Sequence, residues 1–179
     1  MAGYNISQLD FLVVDDNQNM RGLIRTILNN LGVKNIYEAS SGFEAFDRMR
    51  QFRVDMVIVD WRMEPVDGIA LVKQLRHSKE SPNRFVPIIM LTAHSQKQRV
   101  SEARDAGVNE FVVKPVSART LYARIRSIIT TPREFIETAS YFGPDRRRKN
   151  QKFDGVDRRA GAPSTALSPE EVKALLKED

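Results

Sequence analysis

The 179-residue chain contains no cysteine, which excludes disulfides, thiol catalysis and zinc–thiolate sites. No apolar run approaches the roughly 18 residues that a membrane-spanning helix needs. The N-terminus also lacks the basic-then-apolar pattern of a secretory signal. Because 41% of the residues are hydrophobic, the chain can bury a core. We therefore expect a cytoplasmic protein without a membrane span.

Strand and helix patterns alternate from the N-terminus to about Ile129. Short apolar runs rich in Val and Ile end at Asp15, Asp60, Thr92 and Lys114 and are typical of buried strands, and Asn35–Ala39 adds a short one. Apolar residues at helical spacing predict helices over Met20–Leu31, Gly42–Gln51, Asp67–Ser78, Lys97–Ala106 and Ser117–Ile129. Five strands alternating with five helices predict an α/β fold with a doubly wound parallel sheet.

Polar residues follow four of these strands at the point where each strand ends. They are the pair Asp15 and Asp16, then Asp60, Thr92 and Lys114. In an open parallel sheet, chemistry takes place in the crevice outside the carboxyl ends of the strands. We therefore expect three acids, a hydroxyl and an amine to converge at one edge of the sheet.

This combination suits a pocket that accepts a phosphoryl group. Carboxylates brought close together raise one another's pKa, and a divalent cation with oxygen ligands such as Mg²⁺ resolves that conflict. Asp60 can attack phosphorus to give an acyl phosphate, while Lys114 and Thr92 can bind the phosphoryl oxygens. Taken alone, an Asp after a strand is commonly a helix cap and Lys-Pro a surface turn. The five residues in this order favour the phosphate pocket.

Residues 8–129 resemble the CheY-like receiver domain of bacterial two-component response regulators. The matching residues are Asp15-Asp16, Asp60, Asp67-Gly68, Thr92-Ala93 and Lys114-Pro115. The resemblance implies a flavodoxin-like five-stranded sheet of order 2-1-3-4-5, which is the known order of that family. It also implies a phosphorelay protein that is not itself an enzyme.

The resemblance assigns roles to individual residues. Asp60 would accept phosphate from a histidine kinase or a phosphotransfer protein. Asp16 and Asp60 would hold Mg²⁺ with the backbone carbonyl of Arg62, and Asp15 would contribute through water. Phe111 would be the aromatic switch that moves inward with Thr92 on phosphorylation.

Two departures from the family pattern concern the same pocket. Proline follows the phosphoacceptor one place late, in Met63-Glu64-Pro65, so the loop over the metal can differ in shape. Phe111 stands where the family usually has Tyr and cannot donate a hydroxyl hydrogen bond. Arg62 and His94 flank the phosphate in such domains and tune its lifetime, although exposed loop residues are an equally ordinary explanation for both.

Two other classes of function fit the sequence less well. A phosphatase of the haloacid-dehalogenase kind also uses a strand-tip aspartate but needs a second Asp two residues later as the general acid. That position is Arg62, so this enzyme class is excluded. A scaffold with an inactive pocket would lack one of Asp60, Thr92 and Lys114, and all three are present.

The composition changes after residue 130, which predicts a receiver domain over 1–130 and an extension over 131–179. Thr131, Pro132 and Glu134 are typical of a helix start, so a short helix is expected over 132–140. Residues 141–161 are rich in Arg, Asp and Gly and are expected to be irregular. A capping box at Ser168 predicts a terminal helix over 168–178.

The extension carries an internal repeat that ends in an arginine-rich motif. Asp145-Arg146-Arg147, followed by Arg148, recurs twelve residues later as Asp157-Arg158-Arg159, each copy after an aromatic residue and a glycine. Arginine can contact guanine O6 and N7 together and can stack on bases, while carboxylates accept from base N–H groups. The repeat therefore suits a two-fold ligand with two guanines and two phosphates.

This pattern resembles the arginine-rich tails of CheY-like proteins that bind cyclic di-GMP. The alternatives are a basic tail for a protein partner or an anionic surface, or weak nucleic-acid binding. Specific DNA recognition is not expected, because the last 50 or so residues lack a two-helix pattern for a groove. We expect a stand-alone response regulator that controls motility or a related cell-surface output through a downstream protein target such as the flagellar motor.

Overall fold

The computed structural model describes residues 6–93, 97–138 and 141–146, with residues 97–100 described by their backbone alone. Its centre is a parallel sheet of five strands. These are β1 (Asp10–Val14), β2 (Asn35–Ala39), β3 (Met56–Asp60), β4 (Ile88–Thr92) and β5 (Glu110–Val113). The strand order is β2-β1-β3-β4-β5, which confirms the predicted doubly wound topology.

Five helices cover the two faces of the sheet. They are α1 (Gln18–Asn30), α2 (Gly42–Gln51), α3 (Gly68–His77), α4 (Lys97–Ala106) and α5 (Ala118–Thr130), each within two residues of its predicted bounds. Asp67 and Ser117 cap α3 and α5 through their side chains. Gly107 ends α4 with a φ of 101°, which favours glycine.

The core has two halves, because successive strand residues point to opposite faces. Leu12, Val57 and Met90 join one half with α2, α3 and α4. Phe11, Ile58 and Leu91 join the other half with α1 and α5. Strands buried on both faces explain why the sequence shows continuous apolar runs rather than alternation.

The segment after α5 is an antiparallel hairpin, so the predicted short helix over 132–140 is wrong. Its strands are β6 (Phe135–Thr138) and β7 (Tyr141–Pro144), paired from Phe135–Pro144 to Thr138–Tyr141. The expectation of irregular structure from residue 141 is also wrong for the first four residues. Thr131 instead ends α5, and burial of Phe135 and Phe142 decides the conformation against the local helix signal. Residues 147–161 and the predicted terminal helix 168–178 lie outside the described residues.

The hairpin packs on the domain through aromatic rings and a close backbone contact. Phe85, Phe135 and Phe142 form a cluster with ring centroids 5.2–5.6 Å apart. A Cβ at Gly143 would lie 2.8 Å from the Cα of Gly107, so no side chain fits between β7 and the end of α4. The hairpin is therefore a packed part of the fold.

Arg76, in the last turn of α3, lies fully buried beneath this hairpin. Its guanidinium donates to the carbonyls of Gly107 (3.1 Å), Arg84 (2.7 Å) and Val86 (2.8 Å), and to Asn109 Oδ1 (3.2 Å). Its Cζ lies 5.1 Å from the centre of the Phe135 ring. Burial lowers the pKa of Arg76 to about 9, so the group remains charged at neutral pH. Carbonyl dipoles and an aromatic face thus hold a buried cation.

These contacts favour a folded unit that extends to Arg146 rather than to residue 130. Phe142→Ala should lower the free energy of unfolding by about 3–5 kcal/mol, because it empties a buried ring site against Arg84 and Phe85. Phe43→Ala is the matched control, since that ring is 63% exposed, and it should change stability by less than about 0.5 kcal/mol. Urea unfolding checks both variants. Equal midpoints for the two would contradict a structural role for the hairpin.

Candidate functional site

The carboxyl ends of four strands meet at one edge of the sheet. Asp15 directly follows β1, Asp60 and Thr92 are the last residues of β3 and β4, and Lys114 directly follows β5. Backbone hydrogen bonds from Trp61 N to Leu91 O (3.0 Å) and from Lys114 N to Thr92 O (2.8 Å) continue the ladders past the strand ends. The predicted convergence of these residues is therefore present.

Three carboxylates form an acidic cluster at this edge. One oxygen from each of Asp15, Asp16 and Asp60 lies within 4.8 Å of the others. Asp15 and Asp60 are buried, whereas Asp16 is exposed. The cluster is therefore closed on the side of the core and open on the side of Asp16, where an ion and its waters can enter.

Lys114 supplies the positive charge next to this cluster. Its Nζ lies 2.9 Å from Asp60 Oδ1 and 3.6 Å from Asp15 Oδ2. The lysine side chain is mostly buried, so water screens these contacts only in part. One ammonium group thus contacts two of the three carboxylates.

The environment of Asp15 is suited to a cation. Burial, followed by the charges of Asp60 and Asp16, raises the pKa of Asp15, while the backbone N–H of Asn17 and the Lys114 ammonium oppose this. Asp15 Oδ2 is buried and accepts no hydrogen bond. An all-oxygen site with an unsatisfied carboxylate oxygen and an open side fits Mg²⁺, which keeps several of its waters.

The loop after Asp60 is held tightly by a glycine. A Cβ at Gly68 would overlap the carbonyl oxygen of Asp60, and Gly68 N donates to Trp61 O at 2.9 Å. Asp67 caps α3 by accepting from Ala70 N at 2.7 Å. The pair Asp67-Gly68 therefore fixes the start of α3 directly against the Asp60 backbone, a physical role that the sequence pattern alone does not reveal.

Arg21 is a positioning residue that sequence reasoning missed. Its Nη1 donates to the backbone carbonyl of Asp15 at 2.8 Å, and its Nε donates to Glu38 Oε2 at 3.2 Å. Arg21 thereby ties the turn that carries Asp15 and Asp16 to the end of β2. The only signal in the sequence is an arginine six residues after Asp15, in the first half of α1.

The remaining pocket residues have the following positions. Thr92 is buried, and Phe111 is partly buried against the half of the core that contains α2, α3 and α4. Arg62 lines an open cleft beside the acidic cluster together with Asp16, Trp61, Met63, Glu64 and Asp67. His94 lies outside the described residues. The roles of Phe111 and of the Arg62 carbonyl remain predictions.

Only the beginning of the arginine-rich motif falls within the described residues. Asp145 N donates to Glu134 O at 2.7 Å. Arg146 Nη1 lies 3.3 Å from Asp105 Oδ1, and its Cζ lies 3.9 Å from the centre of the Tyr141 ring. Arg147, Arg148, Asp157, Arg158 and Arg159 lie outside the described residues. In the described part of the chain, no helix has the length and apolar character needed to cross a membrane.

Comparison with known proteins agrees with this geometry. The profile of the response regulator receiver domain matches residues 11–126. Chemotaxis protein CheY-3 of Vibrio cholerae is 35% identical over 120 residues, covering 67% of this chain and 91% of that protein. Chemotaxis protein CheY of Pseudomonas aeruginosa is 34% identical over 120 residues, covering 67% of this chain and 95% of that protein.

Solved structures agree at the level of the fold. The structure of Vibrio cholerae CheY4 superimposes with a TM-score of 0.62 at 28% identity and covers 67% of this chain and 98% of that one. A putative response regulator from Chloroflexus aurantiacus gives a TM-score of 0.61 at 26% identity, covering 68% and 98%. With its strand order and its acidic cluster at the expected edge, the chain belongs to the CheY-like receiver domains of response regulators.

Proposed function

We propose that this response regulator is switched by phosphorylation of Asp60. The observation that carries the proposal is the Asp60 carboxylate, which lies beside Asp15 and Asp16 and 2.9 Å from the Lys114 amine. The donor is a histidine kinase or a phosphotransfer protein, as membership of the family implies. An Asp60 oxygen attacks phosphorus, the P–N bond to the donor histidine breaks, and the imidazole leaves as the acyl phosphate forms.

The surrounding residues have two roles, which are to bind the metal ion and to bind the phosphoryl oxygens. Asp16 and Asp60, with the Arg62 carbonyl and with Asp15 through water, would hold Mg²⁺, which neutralises phosphoryl oxygen charge during transfer. Lys114 would bind one phosphoryl oxygen, and the Thr92 hydroxyl would donate to another. Phe111 then follows Thr92 inward as the switch. The product is a signalling state of the protein rather than a released chemical.

We further propose that the arginine-rich tail binds cyclic di-GMP. The support is the repeated motif, in which Asp145-Arg146-Arg147 and Asp157-Arg158-Arg159 offer two sets of guanine-recognising groups, with Arg148 adding positive charge. The packed hairpin supports this proposal because its contacts hold Asp145 and Arg146, the first two residues of the motif, at the surface of the domain. Binding of a protein partner or of nucleic acid by a merely basic tail is the alternative outcome of the test below.

The proposed output is control of motility or a related surface process in the cytoplasm. Two of the relatives are named as chemotaxis proteins, which favours a downstream protein target such as the flagellar motor. Phosphorylation would change the affinity of the receiver domain for that target, and the tail would add a second input.

Asp60→Asn should abolish Mg²⁺-dependent labelling by acetyl phosphate, because an amide is not a nucleophile. Intact-protein mass spectrometry measures the gain of one phosphoryl group. Asp47→Asn is the matched control, since that carboxylate is 66% exposed on α2 and distant from the cluster in the chain. Phosphotransfer to Asp60→Asn at the wild-type rate would place the acceptor elsewhere.

The affinity for Mg²⁺ should fall when a carboxylate of the acidic cluster is removed or protonated. Trp61 is the single tryptophan and lines the cleft beside Asp16, so its fluorescence reports a MgCl₂ titration. Asp16→Asn should weaken Mg²⁺ at least about tenfold, whereas Glu64→Gln, in the same cleft but outside the cluster, should change affinity less than about twofold. Because the pKa of Asp15 is raised, its protonation should begin to weaken Mg²⁺ at a higher pH than for an ordinary aspartate. An affinity independent of both Asp16 and acid pH would count against this metal site.

Recognition of guanine by the tail should require the planar arginine fork. Arg147→Lys combined with Arg159→Lys keeps the charge but loses the bidentate contact, so calorimetry should show at least about tenfold weaker cyclic di-GMP binding. Binding should persist at high salt and should prefer cyclic di-GMP over cyclic di-AMP. Equal affinity of the double variant and the wild type, with no base preference, would reduce the segment to a basic tail.

A further inference from the structure

The turn between β1 and α1, residues 15–17, carries two of the three carboxylates of the acidic cluster. Asp15 is buried, and its Oδ1 accepts from Asn17 N at 2.9 Å. Asp16 is exposed, so packing contributes little to its position. Because the like charges of the cluster repel one another, the turn needs a contact that holds Asp16 near Asp60 before a cation arrives.

Arg21 supplies such a contact from the fourth position of α1. Its side chain is only 15% exposed, and its Nη1 donates to the carbonyl oxygen of Asp15 at 2.8 Å and, at a longer 3.4 Å, to that of Asp16. A peptide unit is planar, so the bond to the Asp15 carbonyl also restrains the N–H and the Cα of Asp16. Arg21 therefore orients the backbone from which the Asp16 carboxylate projects.

Glu38, the next-to-last residue of β2, holds the Arg21 guanidinium in this position. Arg21 Nε donates to Glu38 Oε2 at 3.2 Å, so the planar fork contacts the carboxylate and the turn at the same time. The Glu38 side chain is 25% exposed, which shields the pair in part from water. Glu38 also stands in register with Val13 of β1, two residues before Asp15. The sheet thus supports the turn through Glu38 and Arg21 in series.

Arg25 contacts the same carboxylate but differs from Arg21 in its bonding. Its Nη1 lies 2.8 Å from Glu38 Oε1 as an ion pair without hydrogen-bond geometry, since Oε1 accepts no hydrogen bond. Its side chain is 55% exposed, and among the described residues its ion pair is with Glu38 and not with the turn. Two arginines of equal charge therefore lie beside Glu38, and Arg21 is the one with a directed bond to the turn.

We propose that Arg21 is a positioning residue for the metal site and that Glu38 acts through it. Together they hold the turn that carries Asp15 and Asp16 in its ion-binding position in the metal-free protein. This inference rests on the proposed Mg²⁺ site and adds a determinant of its affinity on β2, outside the acidic cluster. Residues that orient metal ligands in this way typically contribute about 10–100-fold to metal affinity.

The sign of the effect separates positioning from charge. Arg21 is a cation beside the cluster, so on charge alone its removal would reduce the repulsion of Mg²⁺ and strengthen binding. Loss of the bond to the Asp15 carbonyl would instead release the turn and weaken binding. In a Trp61 fluorescence titration of the full-length protein, Arg21→Gln should therefore weaken Mg²⁺ at least about fivefold. Arg25→Gln, the matched control, removes an equal charge and should not weaken it.

Two further measurements test the role of Glu38. Glu38→Gln should weaken Mg²⁺ at least about threefold, and adding it to Arg21→Gln should change the affinity less than about twofold, because Glu38 acts through Arg21. In the metal-free proteins, hydrogen exchange at the Asp16 and Asn17 amides should be faster in Arg21→Gln and Glu38→Gln than in wild type and unchanged in Arg25→Gln. Circular dichroism should show every variant folded.

The outcomes separate this inference from the proposed function. If wild type binds Mg²⁺ and Arg21→Gln binds it as tightly or more tightly, the inference is overturned and the metal site stands, even where Arg21→Gln unfolds at lower urea. If wild type gives no saturable response to Mg²⁺ in fluorescence or calorimetry, the metal site of the proposed function is overturned and this inference with it. Additive losses in the double variant would overturn the role of Glu38 and support that of Arg21.

Discussion

The repulsion among Asp15, Asp16 and Asp60 is the constraint on which the functional edge of this protein depends. The parallel sheet brings their strand ends to one level. Among the described residues, the Lys114 ammonium and the backbone N–H of Asn17 offset the repulsion only in part. Asp15 remains buried with an oxygen that accepts no hydrogen bond. A bound cation stabilises such a site, and added negative charge alters its electrostatic balance. A phosphorylation switch needs both properties.

The opposite edge of the sheet depends on a charge of the other sign. Arg76 is buried with carbonyl and amide oxygens as its acceptors, and the planar guanidinium can collect them from separate segments in a way that an ammonium cannot. Phe135 of the hairpin covers this cation. The hairpin therefore shields the buried Arg76 guanidinium from solvent, which explains why it belongs to the folded domain. Strands β4 and β5 extend from this cation to the edge that carries the acidic cluster.

Most of the fold and the pocket follow from local sequence patterns. Buried strands of four or five residues produce continuous apolar runs, and a polar residue directly after such a run lies at the carboxyl edge wherever the sheet is parallel. Asp67 and Ser117 act through hydrogen bonds within their own turns, so helix starts could be predicted as well. Thr92 and Lys114 could be placed at this edge simply because each stands at the end of an apolar run.

The features that sequence reasoning missed depend on contacts between distant segments. Thr131 and Pro132 carry a genuine helix-start signal, but Phe135 gains more by packing against Phe85 than a short isolated helix could provide. Arg76 occupies a helix position where arginine is usually solvated, and its acceptors come from residues 84–109. Arg21 acts on the backbone of Asp15, which has no signature in the sequence. Each case is a tertiary contact that overrides or adds to a local preference.

The hairpin also changes how the arginine repeat is understood. In the first copy, a glycine is required at position 143 because its backbone lies against Gly107. Tyr141 Oη donates to the Pro144 carbonyl at 2.7 Å. Arg146 forms an ion pair with Asp105. Folding alone therefore accounts for the aromatic and glycine positions of that copy, and a ligand is not needed to explain them. An exposed ion pair such as Arg146–Asp105 contributes at most about 1 kcal/mol, so a phosphate can displace Asp105 at small cost. Asp145 and Arg146 thus belong both to the proposed half-site and to the segment in contact with the folded domain. These contacts hold the two residues in place, which reduces the entropy lost when a ligand binds to them.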